Sequence, residues 1–81
     1  MDDALVWVIA RGIRAERARI GMSQEALGRH LGLSRVTISE IETARRRVWA
    51  DELPAICKAL GVQLEAILSG ATDEDRRALG V

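Results

Sequence analysis

Between residues 23 and 43 the apolar positions follow a helical rhythm that breaks once and resumes. Ala26, Leu27, His30 and Leu31 fall on one face at three- and four-residue spacing, and Ile38 with Ile41 makes a second stripe. Two short helices joined by a tight turn are expected. Ser23 precedes the first stripe, where its hydroxyl can accept an otherwise unpaired backbone N–H, and Ser34 stands in the same relation to the second. Gly32 ends the first helix where a left-handed backbone is needed. Gly28, with no side chain, lets the second helix pack close against the first. Helices this short are unstable alone, so both must belong to a larger helical core.

The flanking pattern supplies that core. A first helix starting at Asp2 or Asp3 places negative charge at its N-terminus. Leu5, Val8 or Ile9, Ile13 and Ile20 form its stripe, with Gly12 permitting close contact. Val6, Trp7 and Ala10 lie on another face, and Trp7 either covers the edge of the core or meets a second subunit. Beyond the pair, Asp51 as N-cap puts Pro54 in a first turn, where its missing N–H costs nothing. Ile56, Cys57 and Leu60 then face inward and Gly61 ends that helix. Residues 63–69, with Leu64, Ile67 and Leu68 apolar, predict a fifth helix closed by Gly70. Thr72 can cap a short sixth over residues 73–79, or residues 71–81 are a tail.

At 81 residues there is room for one small domain. Such a chain buries only about 60% of its unfolded surface, so a modest core or a partner subunit is expected. The single Cys excludes a disulfide framework, and one His with one Cys cannot build an ordinary zinc site. Cys57 reads as a small core residue. The longest apolar run, residues 5–10, is too short for a bilayer, and a cytoplasmic location is expected. The formal net charge is zero, but it averages over an uneven chain. Residues 11–47 carry nine Arg against four Glu, net +5, while residues 48–81 are net −3. A local basic face, rather than the overall balance, sets attraction to phosphate.

Ser23-Gln24, Gly28, Leu31-Gly32-Leu33, and Ile38 with Ile41 together resemble the helix-turn-helix of the phage-repressor (Cro-like or XRE-like) family. The resemblance runs without gaps from about Ile13 to Leu68, including Ile13-Arg14, Gly21-Met22 and Ala59-Leu60-Gly61-Val62. It implies an all-α, five-helix lambda-repressor-like domain over residues 1–70, with a short sixth helix or a tail over 71–81. The family's first helix begins near Ile9, which makes residues 1–8 an extension. In the family an Arg at position 17 pairs with a Glu at position 42, and both types are present. The family also has Asn-Gly after that Glu; here Thr43-Ala44 stands instead, and the third helix is expected to run on by a turn.

The resemblance further implies that residues 34–42 enter the DNA major groove. Ser34, Arg35, Val36, Ser39 and Glu40 would then face bases. Arg35 matches the O6 and N7 acceptors of guanine, and Val36 suits a thymine methyl. Glu40 either accepts from cytosine, orients Arg35 or repels wrong sites. Gln24, Thr37, Thr43 and the run Arg45, Arg46 and Arg47 are the phosphate candidates. Family members bind as two-fold dimers through the region of helix five, which implicates Val62, Leu64, Ile67 and Leu68; Trp7 and Trp49 are rival contacts.

His30 is expected to be packed or partly covered, and it has no Ser or Cys partner in a catalytic pattern. There is no phosphate-cradling Gly loop or paired acidic motif, so neither an enzyme nor a cofactor is expected. The leading expectation is a sequence-specific transcriptional regulator, a repressor as in most of the family, acting on double-stranded DNA as a homodimer. The alternative is an antitoxin or other interaction module whose main partner is a protein. A third reading makes the chain the first domain of a longer repressor, with the acidic end as the start of a linker.

Overall fold

The computed structural model describes residues 3–70 and 72–79. Six helices follow one another: α1 (Asp3–Arg19), α2 (Gln24–Leu31), α3 (Arg35–Glu42), α4 (Leu53–Leu60), α5 (Leu64–Ile67) and α6 (Asp73–Leu79). A single 3₁₀ turn, Ala50–Glu52, leads into α4. The five core helices are those the pattern implied, and the short sixth is formed. Of the two candidate starts for α1, Asp2 lies outside the described residues.

The α1 helix, about 25 Å long at 1.5 Å per residue, is the beam on which α3, α4 and α5 lean. Leu5, Val8, Ile9 and Ile13 on its inner face join Leu27, Ile38, Ile41, Ile56, Leu60, Ile67 and Leu68 in one core. The extension before Ile9 is therefore part of the fold, because Leu5 and Val8 supply core surface. Gly12 is the point of closest approach to α5. A Cβ there would overlap the Ile67 carbonyl oxygen and lie 2.8 Å from its carbon. Ala10, on the face expected to be separate from the stripe, is also buried. The apolar arc of α1 is thus wider than a single stripe, as suits a helix packed on several neighbours.

Four expectations fail here. Ile20 is exposed, because it follows the last helical residue as the chain turns away through Gly21 (φ 69°). His30 is also exposed, beside an open depression lined by Ala55, Lys58 and Ala59. Leu27 and Gly28 alone fill the buried stripe of α2, and the imidazole keeps its nitrogens in water rather than losing those hydrogen bonds. Asp51 does not cap α4. It sits within the 3₁₀ turn, and the neighbouring Glu52 carboxylate takes the Trp49 N–H at 2.9 Å. Pro54 does fall in the first turn of α4, as its missing N–H requires. Helix α5 is shorter than expected, four residues, with Leu68 to Gly70 forming turns. Cys57 is half-buried against the core, and burial, with the Glu65 carboxylate second, pushes its thiol pKa up. That favours the inert thiol over the thiolate.

Candidate nucleic-acid interface

Helices α2 and α3 are set by local rules. Ser23 Oγ accepts the Ala26 N–H at 3.0 Å, and Ser34 Oγ accepts the Thr37 N–H at 3.1 Å. Gly32 adopts the left-handed conformation (φ 69°). Gly28 is needed, but its close neighbour is the turn rather than the body of α3. A Cβ there would collide with the Leu33 carbonyl oxygen and lie 3.4 Å from the Ser34 carbonyl carbon.

With Ile38 and Ile41 in the core, the opposite face of α3 must point away. Ser34, Arg35, Val36 and Glu40 are exposed, Val36 by 57%, and Ser39 is half-exposed. All five expected base-reading residues thus share the outer side of one helix. Among the described residues no side-chain hydrogen bond or ion pair engages Arg35, so its five donors remain available.

The inner side of α3 ends in a charge. Glu42 is the one buried charged residue in the described core, its side chain 2% exposed. Arg17 meets it with both prongs, Nε at 2.7 Å and Nη2 at 2.9 Å, as expected. Two further contacts complete the node. Arg17 Nη1 donates to the Met22 carbonyl at 2.8 Å, and Gln24 Nε2 donates to Glu42 Oε1 at 3.1 Å. The Glu42 carboxylate, first by hydrogen bonding and then by its charge, raises the Arg17 pKa. One carboxylate therefore ties α1, the start of α2 and the end of α3 together. Gln24 has a second amide hydrogen, which leaves one donor for an outside acceptor.

The hydroxyls beside α3 are partly committed. Ser34 Oγ and Thr37 Oγ1 lie 3.0 Å apart, so one proton of the pair remains for another acceptor. Thr43 Oγ1 donates to the Ser39 carbonyl at 2.8 Å, so reaching a phosphate would mean giving up that bond.

Helix α3 does not run on past Glu42. Ala44 turns the chain with φ 59°, the one positive φ outside glycine among the described residues. Its N–H reaches the Ile41 carbonyl at 3.2 Å, and the N–H of Arg45 reaches that of Glu40 at 2.9 Å. The turn survives with alanine where the family has glycine. Closing those orphan carbonyls outweighs a left-handed cost of about 1–2 kcal/mol. Arg45 and Arg47 are exposed beyond it. Arg46 instead pairs with Glu52, Nη2 to Oε2 at 2.9 Å and Nη1 to Oε1 at 3.2 Å. That pairing lowers the Glu52 pKa, with the Trp49 N–H helping, and raises that of Arg46. No spacing rule pointed to it, since both residues lie in irregular or 3₁₀ backbone.

The dimer candidates divide. Ile67 and Leu68 are fully buried in the monomer core under α1, so they are not surface contacts. Val62 and Leu64 are half-buried at its margin. Trp49 is 65% exposed, and Trp7 is 44% exposed with the Arg11 guanidinium carbon 6.0 Å from its ring centre. Among the described residues no group of three or more His, Cys, Asp or Glu could hold a metal, and no helix is long and apolar enough to cross a membrane.

A family model for the helix-turn-helix domain matches residues 8–69. The chain belongs to the helix-turn-helix family. It is 32% identical over 73 residues to a Rhodospirillum rubrum protein described as an uncharacterized transcriptional regulator in the ATPase CF(0) region, covering 90% of this chain and 68% of that protein. Among solved structures, the clp gene regulator ClgR from C. glutamicum superposes with a TM-score of 0.76 at 28% identity, over 80% of this chain and 83% of that one. The P22 c2 repressor, solved in complex with a synthetic operator, gives 0.66 at 34% identity over 76% of this chain and 94% of the repressor. This helix-turn-helix protein is a transcriptional regulator of the Cro-like type.

Proposed function

We propose that this helix-turn-helix protein is a sequence-specific repressor that binds a palindromic operator in double-stranded DNA as a homodimer, with α3 in the major groove. The observation that carries it is the division of α3: Ile38, Ile41 and Glu42 are buried, while Ser34, Arg35, Val36 and Glu40 are offered to solvent on one side. The P22 c2 repressor, similar to this chain over most of its length, was solved on an operator. Arg35 reads guanine through its fork of donors, and Val36 packs on a thymine methyl. Ser39 and Glu40 set the neighbouring positions. Gln24 supplies a phosphate contact at the start of α2, where backbone amides also point outward, with Arg45 and Arg47 beyond the end of α3. Thr37 and Thr43 make weaker contacts, because their hydroxyls are partly committed.

Occupancy of a site is enough to block a polymerase, so no chemical step is assigned to any residue, and the protein acts in the cytoplasm. Residues 1–70 form the DNA-binding unit and residues 71–81 an appendage to it. Two copies on half-sites about one helical turn apart supply the affinity that one small module lacks. Val62, Leu64, Trp7 and Trp49 are the surfaces left for pairing.

The two exposed tryptophans also support a second reading, in which the main partner is a protein such as a toxin. Salt separates the two, since binding through several phosphates weakens steeply as salt rises. The decisive experiment selects binding sites from random duplexes with the native chain and with Arg35→Ala. Loss of preference for guanine at one position per half-site is expected. Unchanged preference at every base would remove Arg35 from base reading.

A further inference from the structure

Three arginines follow α3 in a row, yet the fold treats them differently. Arg45 and Arg47 are exposed, and among the described residues neither guanidinium has a hydrogen bond or ion pair. Arg46 is half-buried and held by both prongs to Glu52, while its Nη1 also donates to the Arg47 carbonyl at 3.2 Å. The same Glu52 carboxylate accepts the Trp49 N–H at 2.9 Å. One acidic side chain on the 3₁₀ turn thus fastens the segment from Arg46 to Trp49 at both ends.

We propose that Glu52 is a positioning residue that sorts the triplet, holding Arg46 against the body as a brace so that Arg45 and Arg47 alone are presented to DNA phosphates. The proposal rests on the DNA-binding reading given above. A guanidinium in a forked pair must break both bonds to reach a phosphate. Arg46 would also leave behind a half-buried carboxylate, unpaired and close to the charge of the duplex. Arg45 and Arg47 give up nothing comparable. The backbone itself holds the point where the segment leaves α3, because Arg46 N–H and Arg45 N–H both bond the Glu40 carbonyl, at 3.2 and 2.9 Å.

The test counts phosphates rather than measuring affinity. Binding of the full chain to a fluorescently labelled duplex of random sequence is followed by anisotropy across a salt series. The slope of log K against log salt changes by about 0.9 per phosphate contact. Arg45→Ala and Arg47→Ala are each expected to flatten the slope by about one contact at unchanged melting temperature. Arg46→Ala should lower the melting temperature and leave the slope as it is. Where Arg46→Ala does not fold, Arg46→Met keeps the stem without the charge, and the same slope is expected. Glu52→Gln releases Arg46, steepening the slope by about one contact, and should do nothing to the slope when Arg46 is already replaced.

A flattened slope in the Arg46 variant, equal to that of Arg45→Ala, would overturn the sorting. So would a Glu52→Gln effect of the same size with and without Arg46, since that would be lost repulsion only. A native chain that binds the duplex with no salt dependence would instead overturn the DNA-binding reading itself.

Discussion

Arg17→Ala strands a charge. The Glu42 carboxylate, 2% exposed, would lose two of its three hydrogen bonds and keep only Gln24. The Met22 carbonyl would lose its donor as well. Removing one partner of a buried pair costs roughly 3–5 kcal/mol. Arg17 is itself 15% exposed, so water can enter the space it leaves, and the lower end applies. A domain of this length has a total stability of roughly 4–12 kcal/mol at ~0.05–0.15 kcal/mol per residue, so about 3 kcal/mol is a large share of it. At about 4–8 °C per kcal/mol for a small domain, the melting temperature should fall by more than about 10 °C. Thermal and urea unfolding followed by helical circular dichroism measure this directly. Replacing both partners together, Arg17→Met with Glu42→Leu, should recover most of the loss, because the unpaired charge goes with them. A single variant melting within about 3 °C of the native chain, or a double variant no more stable than the single, would mean that no charge is stranded at Glu42.

Ala44→Gly is expected to stabilise the fold by about 0.5–1 kcal/mol, the left-handed cost of alanine less the extra unfolded-chain entropy of glycine; a lower urea midpoint would contradict this. Gly12→Ala drives a Cβ into the Ile67 carbonyl and should cost at least about 1–3 kcal/mol, whereas Gly70→Ala meets nothing within 4 Å and should be close to neutral. Glu52 has its pKa lowered by Arg46, so the stability it contributes is present above the usual carboxylate range and is lost as pH falls through its lowered value. The native melting temperature should therefore drop faster below about pH 4 than that of Glu52→Gln; parallel curves would exclude the pair as a contributor.

The caps at Ser23 and Ser34, the left-handed Gly32 and the inward Ile38 and Ile41 could be read from the chain alone. Each depends on residues within one or two helical turns, and such contacts follow from backbone geometry whatever lies beyond. The outward face of α3 followed by subtraction once its inner stripe was known. Arg17 with Glu42 is different: the two stand 25 positions apart, and only likeness to a known pattern joined them. Spacing also identified apolar faces without saying what would cover them. Ile67 and Leu68 went to the core because α1 runs over α5, and Ile20 was left outside because the helix ended first. His30 shares a face with Leu27 in projection but meets solvent at an open depression beside α4. Ala44 kept a glycine's turn because the carbonyls at the end of α3 needed partners. Arg46 left its two neighbours for Glu52 because the 3₁₀ turn brought a carboxylate within reach. Local periodicity determines which side of a helix is apolar; only the arrangement of the other helices decides which charges and rings that side finally meets.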